Sequence, residues 1–297
     1  AVRREMARLR KRGSPVTLSI LEREYQYAGI DTCAADGLCA TACPVKIDTG
    51  VLTKRLRSEG HTPSEKAIAG LVASNLKWVE FGLRLGLRMA HLAERVLGAK
   101  LLGWFSEVLE RTIGHRVPRW SSAFPKVPSK PVPLKSLSHP QYVYIPSCLS
   151  RLMGQPRSGG PSLVDCVLRL AEKAGVPVWL PPETAGRCCG LPFGSKGFGE
   201  AHAAVLEALV RDLWQWTKRG RLPVITDATS CLYSIKTSGG ILSPEARDYL
   251  GRMRISDVME FAHTVLLPKL TIEKLDRKVV LHPNCAARKL GIDVAMK

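Results

Sequence analysis

Residues 187–199 read Arg187-Cys188-Cys189-Gly190-Leu191-Pro192-Phe193-Gly194-Ser195-Lys196-Gly197-Phe198-Gly199. Adjacent cysteines do not readily close a disulfide on each other. Both thiols face one metal when the chain turns sharply after them, and Gly190 permits that turn. Outward from this loop, strands and helices alternate. Upstream, Tyr142–Pro146 is a short apolar strand running into Cys148, Ser162–Lys173 has helical spacing, and Val176–Leu180 is a second strand. Downstream, Glu200–Lys218 reads as a helix and Leu222–Thr226 as a strand running to Cys231. Ser256–Leu267 reads as a helix and Lys278–His282 as a strand running to Cys285. This alternation implies a parallel sheet with crossover helices. Cys148, Cys231 and Cys285 each stand just past the carboxyl end of an expected strand, where open α/β sheets build their sites. Cys148, Cys188, Cys189 and Cys231 are thus a candidate four-thiolate site, with the donor set of an iron–sulfur cluster or of zinc. The Gly-rich run itself matches neither the Walker nor the Rossmann phosphate fingerprint. Cys166 sits among Leu163, Val164, Val167 and Leu168 and reads as a core thiol.

A second cysteine group lies near the start. Residues 33–44 read Cys-Ala-Ala-Asp-Gly-Leu-Cys-Ala-Thr-Ala-Cys-Pro. The bacterial ferredoxin run is C-x2-C-x2-C-x3-C-P. Its four positions fall at Cys33, Asp36, Cys39 and Cys43, followed by Pro44. A cubane cluster needs three corners from one tight loop, and the small residues with Gly37 let the backbone wrap it. Asp36 supplies a carboxylate to a labile iron, or leaves that corner open and favours a three-iron cluster; an oxygen ligand holds iron more weakly than thiolate. In two-cluster ferredoxins the Cys before Pro ligates the other cluster. No partner motif for Cys43 stands elsewhere in the chain. Cys285, in His282-Pro283-Asn284-Cys285, repeats the arrangement Ile145-Pro146-Ser147-Cys148 and suggests a duplication whose second half has only begun. Both observations lead to the expectation of a chain cut inside domains at each end.

The chain has 297 residues, a net charge of +18 and nine cysteines. That length holds two domains with real cores. An odd cysteine count with no secretory leader argues against a disulfide framework and for metal or redox chemistry. The positive charge is spread along the chain, with no nucleic-acid motif or basic stripe of interleaved aromatics, so no nucleic-acid partner is expected. It leaves open a genome-wide arginine bias, an acidic partner or anionic lipid. No long charge-free apolar run suggests a spanning helix, and the expected location is the cytoplasm.

Between Ser64 and Ile113 the pattern is helical, with Leu71, Trp78, Leu85, Leu92, Leu102 and Leu109 at near-heptad intervals and glycines that split it into two or three helices. The simplest reading of this stripe is a core face; contact with a membrane surface is the lesser one. Pro118, Pro125, Pro128, Pro131, Pro133 and Pro140 then mark an extended linker. The expected divisions are 1–60, an incomplete ferredoxin-like segment; 61–115, a helical region; 116–140, the linker; and 141–297, a Rossmann-like parallel-sheet domain truncated in its second half.

The pattern Cys148…Cys188-Cys189-Gly190…Cys231 resembles the cysteine-rich "CCG" domain of heterodisulfide reductases, of the iron–sulfur component of glycolate oxidase and of lactate-utilisation proteins. Further stretches are similar to the D-lactate dehydrogenase (cytochrome)-type FAD-binding oxidoreductases. They are Arg3-Arg4-Glu5-Met6, Tyr27–Cys39, Cys43-Pro44-Val45-Lys46-Ile47-Asp48-Thr49-Gly50, Cys188–Phe198 and His282–Cys285. The resemblance spans essentially the whole chain. It implies that Asp36 is a family feature and that flavin domains and a further cluster motif belong upstream. It also implies cluster ligation by Cys33, Asp36, Cys39, Cys43, Cys148, Cys188, Cys189, Cys231 and Cys285, with Gly37, Pro44 and Gly190 shaping the binding loops. Two positions depart from the pattern. Ala228 stands where a C-x-x-C pair would begin, and Lys46 stands where glycine is expected. The function implied is the electron-exit part of a FAD-linked D-2-hydroxy acid (D-lactate) dehydrogenase. Flavin takes a hydride from the substrate, and electrons leave singly through a 4Fe-4S (or 3Fe-4S) cluster and a second iron–sulfur or zinc site to a cytochrome or quinone. The flavin domain or subunit would be the partner, and this chain alone would not be catalytic. Two rivals are a separate iron–sulfur subunit of a glycolate oxidase or heterodisulfide reductase-like complex, and a zinc-stabilised interaction scaffold without redox chemistry.

Overall fold

The computed structural model describes residues 2–113, 119–128, 139–273 and 282–292, with residues 276, 278 and 280 singly. The chain opens with two helices, α1 (Val2–Arg12) and α2 (Pro15–Tyr25), the second continuing through a π-helical turn over Gln26–Asp31. Pro15 occupies the first turn of α2, where its missing N–H leaves nothing unpaired. The first cysteine loop contains a single turn, α3 (Cys39–Ala42), and leads to α4 (Thr49–Gly60), capped by the Asp48 carboxylate accepting from the Gly50 amide. Next, α5 (Pro63–Ser74) starts on a capping box in which Thr62 and Glu65 exchange hydrogen bonds. It is followed by α6 (Leu76–Leu97), which ends at Gly98, and α7 (Ala99–Ile113), which packs against α6.

The helical run expected between Ser64 and Ile113 as two or three helices is three, but the expected core stripe faces outward. Leu71, Trp78, Leu85 and Leu92 are exposed, and Leu102 and Leu109 are half-buried. The inward positions of α6 are taken by Glu80, Arg84, His91 and Glu94, and each has a partner across the interface. Glu80 pairs with Arg151 and Glu94 with Arg157. Arg84 donates to the carbonyls of Arg151 and Pro128, and a ring nitrogen of His91 meets the Pro125 carbonyl. Buried charges tolerate this only because they are paired. Heptad spacing marks the stripe but not which side of the helix meets the protein.

Of the Pro-rich stretch, residues 119–128 are described, and they are pinned. The Trp120 amide donates to the Ser106 hydroxyl, its ring meets His91 edge-on, and Lys126 bridges antiparallel to Gln155. Residues 116–118 and 129–138 of that stretch, with Pro118, Pro131 and Pro133, lie outside the described residues.

Beyond it, β1 (Tyr142–Ile145) leads to α8 (Cys148–Met153), α9 (Leu163–Lys173) and β2 (Val178–Trp179). Then come α10 (Leu191–Lys196), α11 (Gly199–Trp216), β3 (Val224–Thr226), α12 (Thr229–Thr237), α13 (Pro244–Arg252), β4 (Ile255–Asp257) and α14 (Val258–Phe261). The last described helix is α15 (Cys285–Leu290). The strands form one parallel sheet in the order β2-β1-β3-β4. Strand alternation sends Val143, Ile145 and Val224 to one face, against Leu206, Leu209 and Leu213 of α11 and Leu232 of α12. It sends Tyr144, Val178 and Ile225 to the other, against Val164, Val167 and Leu168 of α9 and Phe261 of α14. Each fully buried Leu or Val contributes about 1.5–3 kcal/mol.

The alternation of strand and helix therefore holds in outline, with differences, among them the unexpected helices α8 and α12 that begin at or beside Cys148 and Cys231. The run Cys188–Gly199, expected as a loop, contains α10. The helix α13 was not expected. The expected helix Ser256–Leu267 begins inside β4. Ile255-Ser256-Asp257 has no apolar run to announce a strand; its backbone pairing with β3 and the Asp257 cap on Met259 define it instead. The expected strand Lys278–His282 falls partly outside the described residues.

Candidate metal centre

The strand order reverses between β1 and β3, because β2 lies on one side of β1 while β3 and β4 lie on the other. Loops leaving the carboxyl ends of the two strands diverge there and open a crevice. Cys148 enters it as the first residue of α8, and Cys231 from the first turn of α12. Asp227 ties the two strand ends together. Its carboxylate accepts from the Tyr144 hydroxyl at 2.6 Å and from the Ser147 amide at 2.7 Å. Burial, and then the Asp227 charge, push the Tyr144 phenol far above its usual range, so it stays a donor. Ser147 in turn caps α8 by accepting from the Ser150 amide at 3.1 Å.

Cys188 and Cys189 enter from the loop before α10. Gly190 follows them in a left-handed conformation, φ 74°, and a Cβ there would overlap the buried imidazole of His202 on α11. Burial, and then nearby Lys54, hold His202 below its usual pKa and hence neutral. Ser234 of α12 donates to the Cys189 carbonyl at 3.0 Å. These contacts bring four thiols together in series: Cys148 with Cys188, Cys188 with Cys189, and Cys189 with Cys231. All are free of disulfides, and all four line one small cavity. Cys148 is pushed far up by its contact with Cys188 and by burial. For Cys188 the contact with Cys148 lowers the pKa, but Cys189 and burial outweigh it and raise it to about 11. For Cys189 the contact with Cys188 acts downward, and Cys231 and burial carry it up to about 12.

This donor set is soft, four thiols in series, and sulfur of this kind suits iron–sulfur clusters or zinc. A bound metal supplies the positive charge that burial withholds and deprotonates coordinating thiols outright. In composition and placement the residues fit such a group. Their arrangement is that of thiols in a row. Among the described residues, no three Cys, His, Asp or Glu side chains surround a common ion position.

Arg151 stands beside this row. Its guanidinium forks onto Glu80 at 2.9 and 2.7 Å and also donates to the carbonyls of Pro146 and Arg187. Burial by itself would raise the Glu80 carboxyl, but Arg151 and the Gly186 amide outweigh it and hold the pKa below the ordinary value. A cleft of about 520 Å³ runs from the surface to Cys148 and Cys188. Its apolar lining includes Ile68, Val72, Leu83, Leu152, Phe193 and Phe198.

The first cysteine loop is docked against this domain. Arg57 of α4 donates to the carbonyls of Ile30, Asp31 and Cys33 and, across the interface, to that of Ser195. His61 stacks on Phe198 with ring centroids 4.0 Å apart. Gly37, φ 73°, leaves room for Asp48 and the Tyr233 hydroxyl of α12, and its carbonyl accepts from Lys289 of α15 at 2.8 Å. Within the loop the expected ligands are spoken for locally. Cys33 sulfur accepts from the Ala35 amide, and Asp36 from the Leu38 amide at 3.1 Å. Cys39 is exposed and accepts from the Thr49 hydroxyl and amide at 3.2 and 3.3 Å, which hold its pKa below the ordinary value. Cys43, before Pro44, closes α3. The structure thus places Cys33, Asp36, Cys39 and Cys43 on one loop without gathering three of them around one point.

Cys285 repeats the geometry of Cys148. Each is the first residue of a short helix, capped by the preceding side chain, and Asn284 accepts from the Ala287 amide at 2.8 Å. Its thiol is exposed, and its helix packs against α12, the helix that carries Cys231. Cys166 is half-buried on α9, the helix that packs on the other face of the sheet from α11 and α12. Lys46, where glycine was expected, has φ 54°, the left-handed region that favours glycine.

Sequence reasoning missed Asp227, Glu80, Arg151, Arg57 and His202. Asp227 had a readable signal, an acidic residue directly after an apolar strand and before Cys231. The Glu80–Arg151 pair had none, since its members lie in segments joined only by the tertiary fold. Compared with known proteins, the chain matches no family model, no curated protein and no solved structure.

Proposed function

We propose that this chain is an iron–sulfur electron carrier, the electron-exit part of a FAD-linked D-2-hydroxy acid dehydrogenase of the D-lactate type. The observation that carries the reading is the convergence of Cys148, Cys188, Cys189 and Cys231 at the strand-order reversal of a parallel sheet. These four residues would hold one group, and Cys33, Asp36, Cys39 and Cys43 a second. When bound, iron–sulfur clusters supply one-electron transfer at potentials set by burial and hydrogen bonds to sulfur.

The chain's own residues prepare both places. Asp227 and Ser147 fix where Cys148 emerges. Gly190 lets the Cys188–Cys189 pair turn over His202. Arg151 sets a fixed positive charge beside Cys148 and Cys188, a placement that favours their anionic, metal-bound form. Arg57 seats the first cysteine loop on α10, which directly follows the Cys188–Cys189 pair, and Lys289 ties Gly37 of that loop to α15, the helix that Cys285 begins. The apolar cleft ending at Cys148 and Cys188 suits a quinone ring better than the charged face of a cytochrome, and favours the quinone as acceptor.

The test is anaerobic reconstitution of the full chain with ferrous iron and sulfide, followed by EPR before and after dithionite. The reading expects a reducible cluster signal that Cys148→Ser and Cys231→Ser each abolish at one site while Cys166→Ser leaves both intact. A protein that takes up one zinc per four thiols and no iron with sulfide contradicts it and makes the domain a zinc-stabilised scaffold.

A further inference from the structure

An ordinary surface helix turns its apolar side inward and its charges to water. The helix α6 is reversed. Trp78, Phe81, Leu85, Met89, Leu92 and Val96 are each between 50% and 76% exposed. At about 100° per residue, the six fall within one sector of about 80°. They form a continuous stripe along a helix of 22 residues, about 33 Å at 1.5 Å per residue. Contiguous apolar surface of this kind marks a contact face.

The charges say what kind. Both acidic residues of α6, Glu80 and Glu94, are buried in ion pairs on the inward side. The charged side chains it exposes are Lys77, Arg88 and Arg95, which lie along one flank of the stripe. Lys100 continues the positive set at the start of α7, beside exposed Leu101, Trp104 and Phe105. The outward side of α6 is therefore apolar and cationic, with no exposed carboxylate.

We infer that α6 is a membrane-surface helix: it lays its Trp78–Val96 stripe into an anionic lipid surface, with Lys77, Arg88 and Arg95 at the headgroups. Indole rings and basic flanks are the side chains suited to that boundary. Among the described residues no helix is long and apolar enough to cross a membrane, so α6 lies on the surface. A second copy of the chain is the poorer occupant, because two bodies of net charge +18 repel. The inference stands apart from the metal chemistry and uses none of its residues.

The test is co-sedimentation of the full chain with sucrose-loaded vesicles of phosphatidylcholine containing 30% phosphatidylglycerol, against vesicles of phosphatidylcholine alone. Preferential binding to the anionic vesicles, weakened by raised salt, is expected. Exchanging Trp78, Phe81 and Leu85 for Ser lowers partitioning at least about tenfold. Exchanging Lys77, Arg88 and Arg95 for Gln lowers it about a hundredfold on anionic vesicles and little on neutral ones. The exchanged residues are exposed, so circular dichroism stays unchanged and shows that each variant folds. Wild-type protein that stays in the supernatant overturns the inference. So does a dimer by light scattering that the Ser variant converts to monomer, since the stripe is then a protein interface.

Discussion

Exchanging Glu80 for alanine removes three hydrogen bonds at once, two from the Arg151 guanidinium and one from the Gly186 amide. Arg151 is 8% exposed, so water does not replace the lost partner. Breaking one member of a buried pair leaves an uncompensated charge and costs about 3–5 kcal/mol. The exposed Arg55–Glu59 pair on α4 is the control, because surface pairs of that kind contribute little. Urea unfolding of the full chain, followed by far-ultraviolet circular dichroism, measures both. A further check is the pH profile. The folded-state pKa of Glu80 is depressed, so its stabilisation is fully present above the unfolded value, about pH 4.3. It is lost as pH falls through the folded-state value. The gap between wild type and Glu80→Gln should therefore be constant near neutrality and close in acid. A loss for Glu80→Ala no larger than that for Glu59→Ala would refute the claim that a buried ion pair joins α6 to the sheet domain.

Three further outcomes are expected. Gly190→Ala forces a side chain into a left-handed backbone, costing about 1–2 kcal/mol, and also overlaps His202; adding His202→Ala should recover the overlap and leave the backbone share, as measured by thermal unfolding. Lys46→Gly relieves the left-handed strain at φ 54° and stabilises by about 0.5–1 kcal/mol after the entropy cost of glycine; a lower melting temperature contradicts this. Arg57→Ala leaves the carbonyls of Ile30, Cys33 and Ser195 without their shared donor, so trypsin should cut the segment 26–62 faster while the sheet domain survives; an unchanged digestion pattern shows that the loop docks by other contacts.

The sheet domain was legible where apolar runs and helical spacing were long. The strands at Tyr142 and Val224 and the helices α9 and α11 stand where their residues placed them. β4 was hidden because three residues, one Ser and one Asp among them, carry no period; only pairing with β3 makes them a strand. The orientation of α6 was illegible for a related reason. Its stripe is plain in the spacing, but its inward side is set by Glu80 and Glu94 meeting Arg151 and Arg157, which lie far along the chain. The candidate site was legible as cysteine spacing around Gly190. Its convergence depends on Asp227 joining two strand ends and on His202 beneath the turn, contacts no spacing rule contains.

The most direct test of the central claim is the metal and acid-labile sulfide content of the chain purified without oxygen. The account predicts iron with equimolar sulfide, diminished by exchanging Cys188 and Cys189 for Ser. Zinc without sulfide, or metal that persists in that variant and in one lacking Cys33 and Cys39, would contradict it.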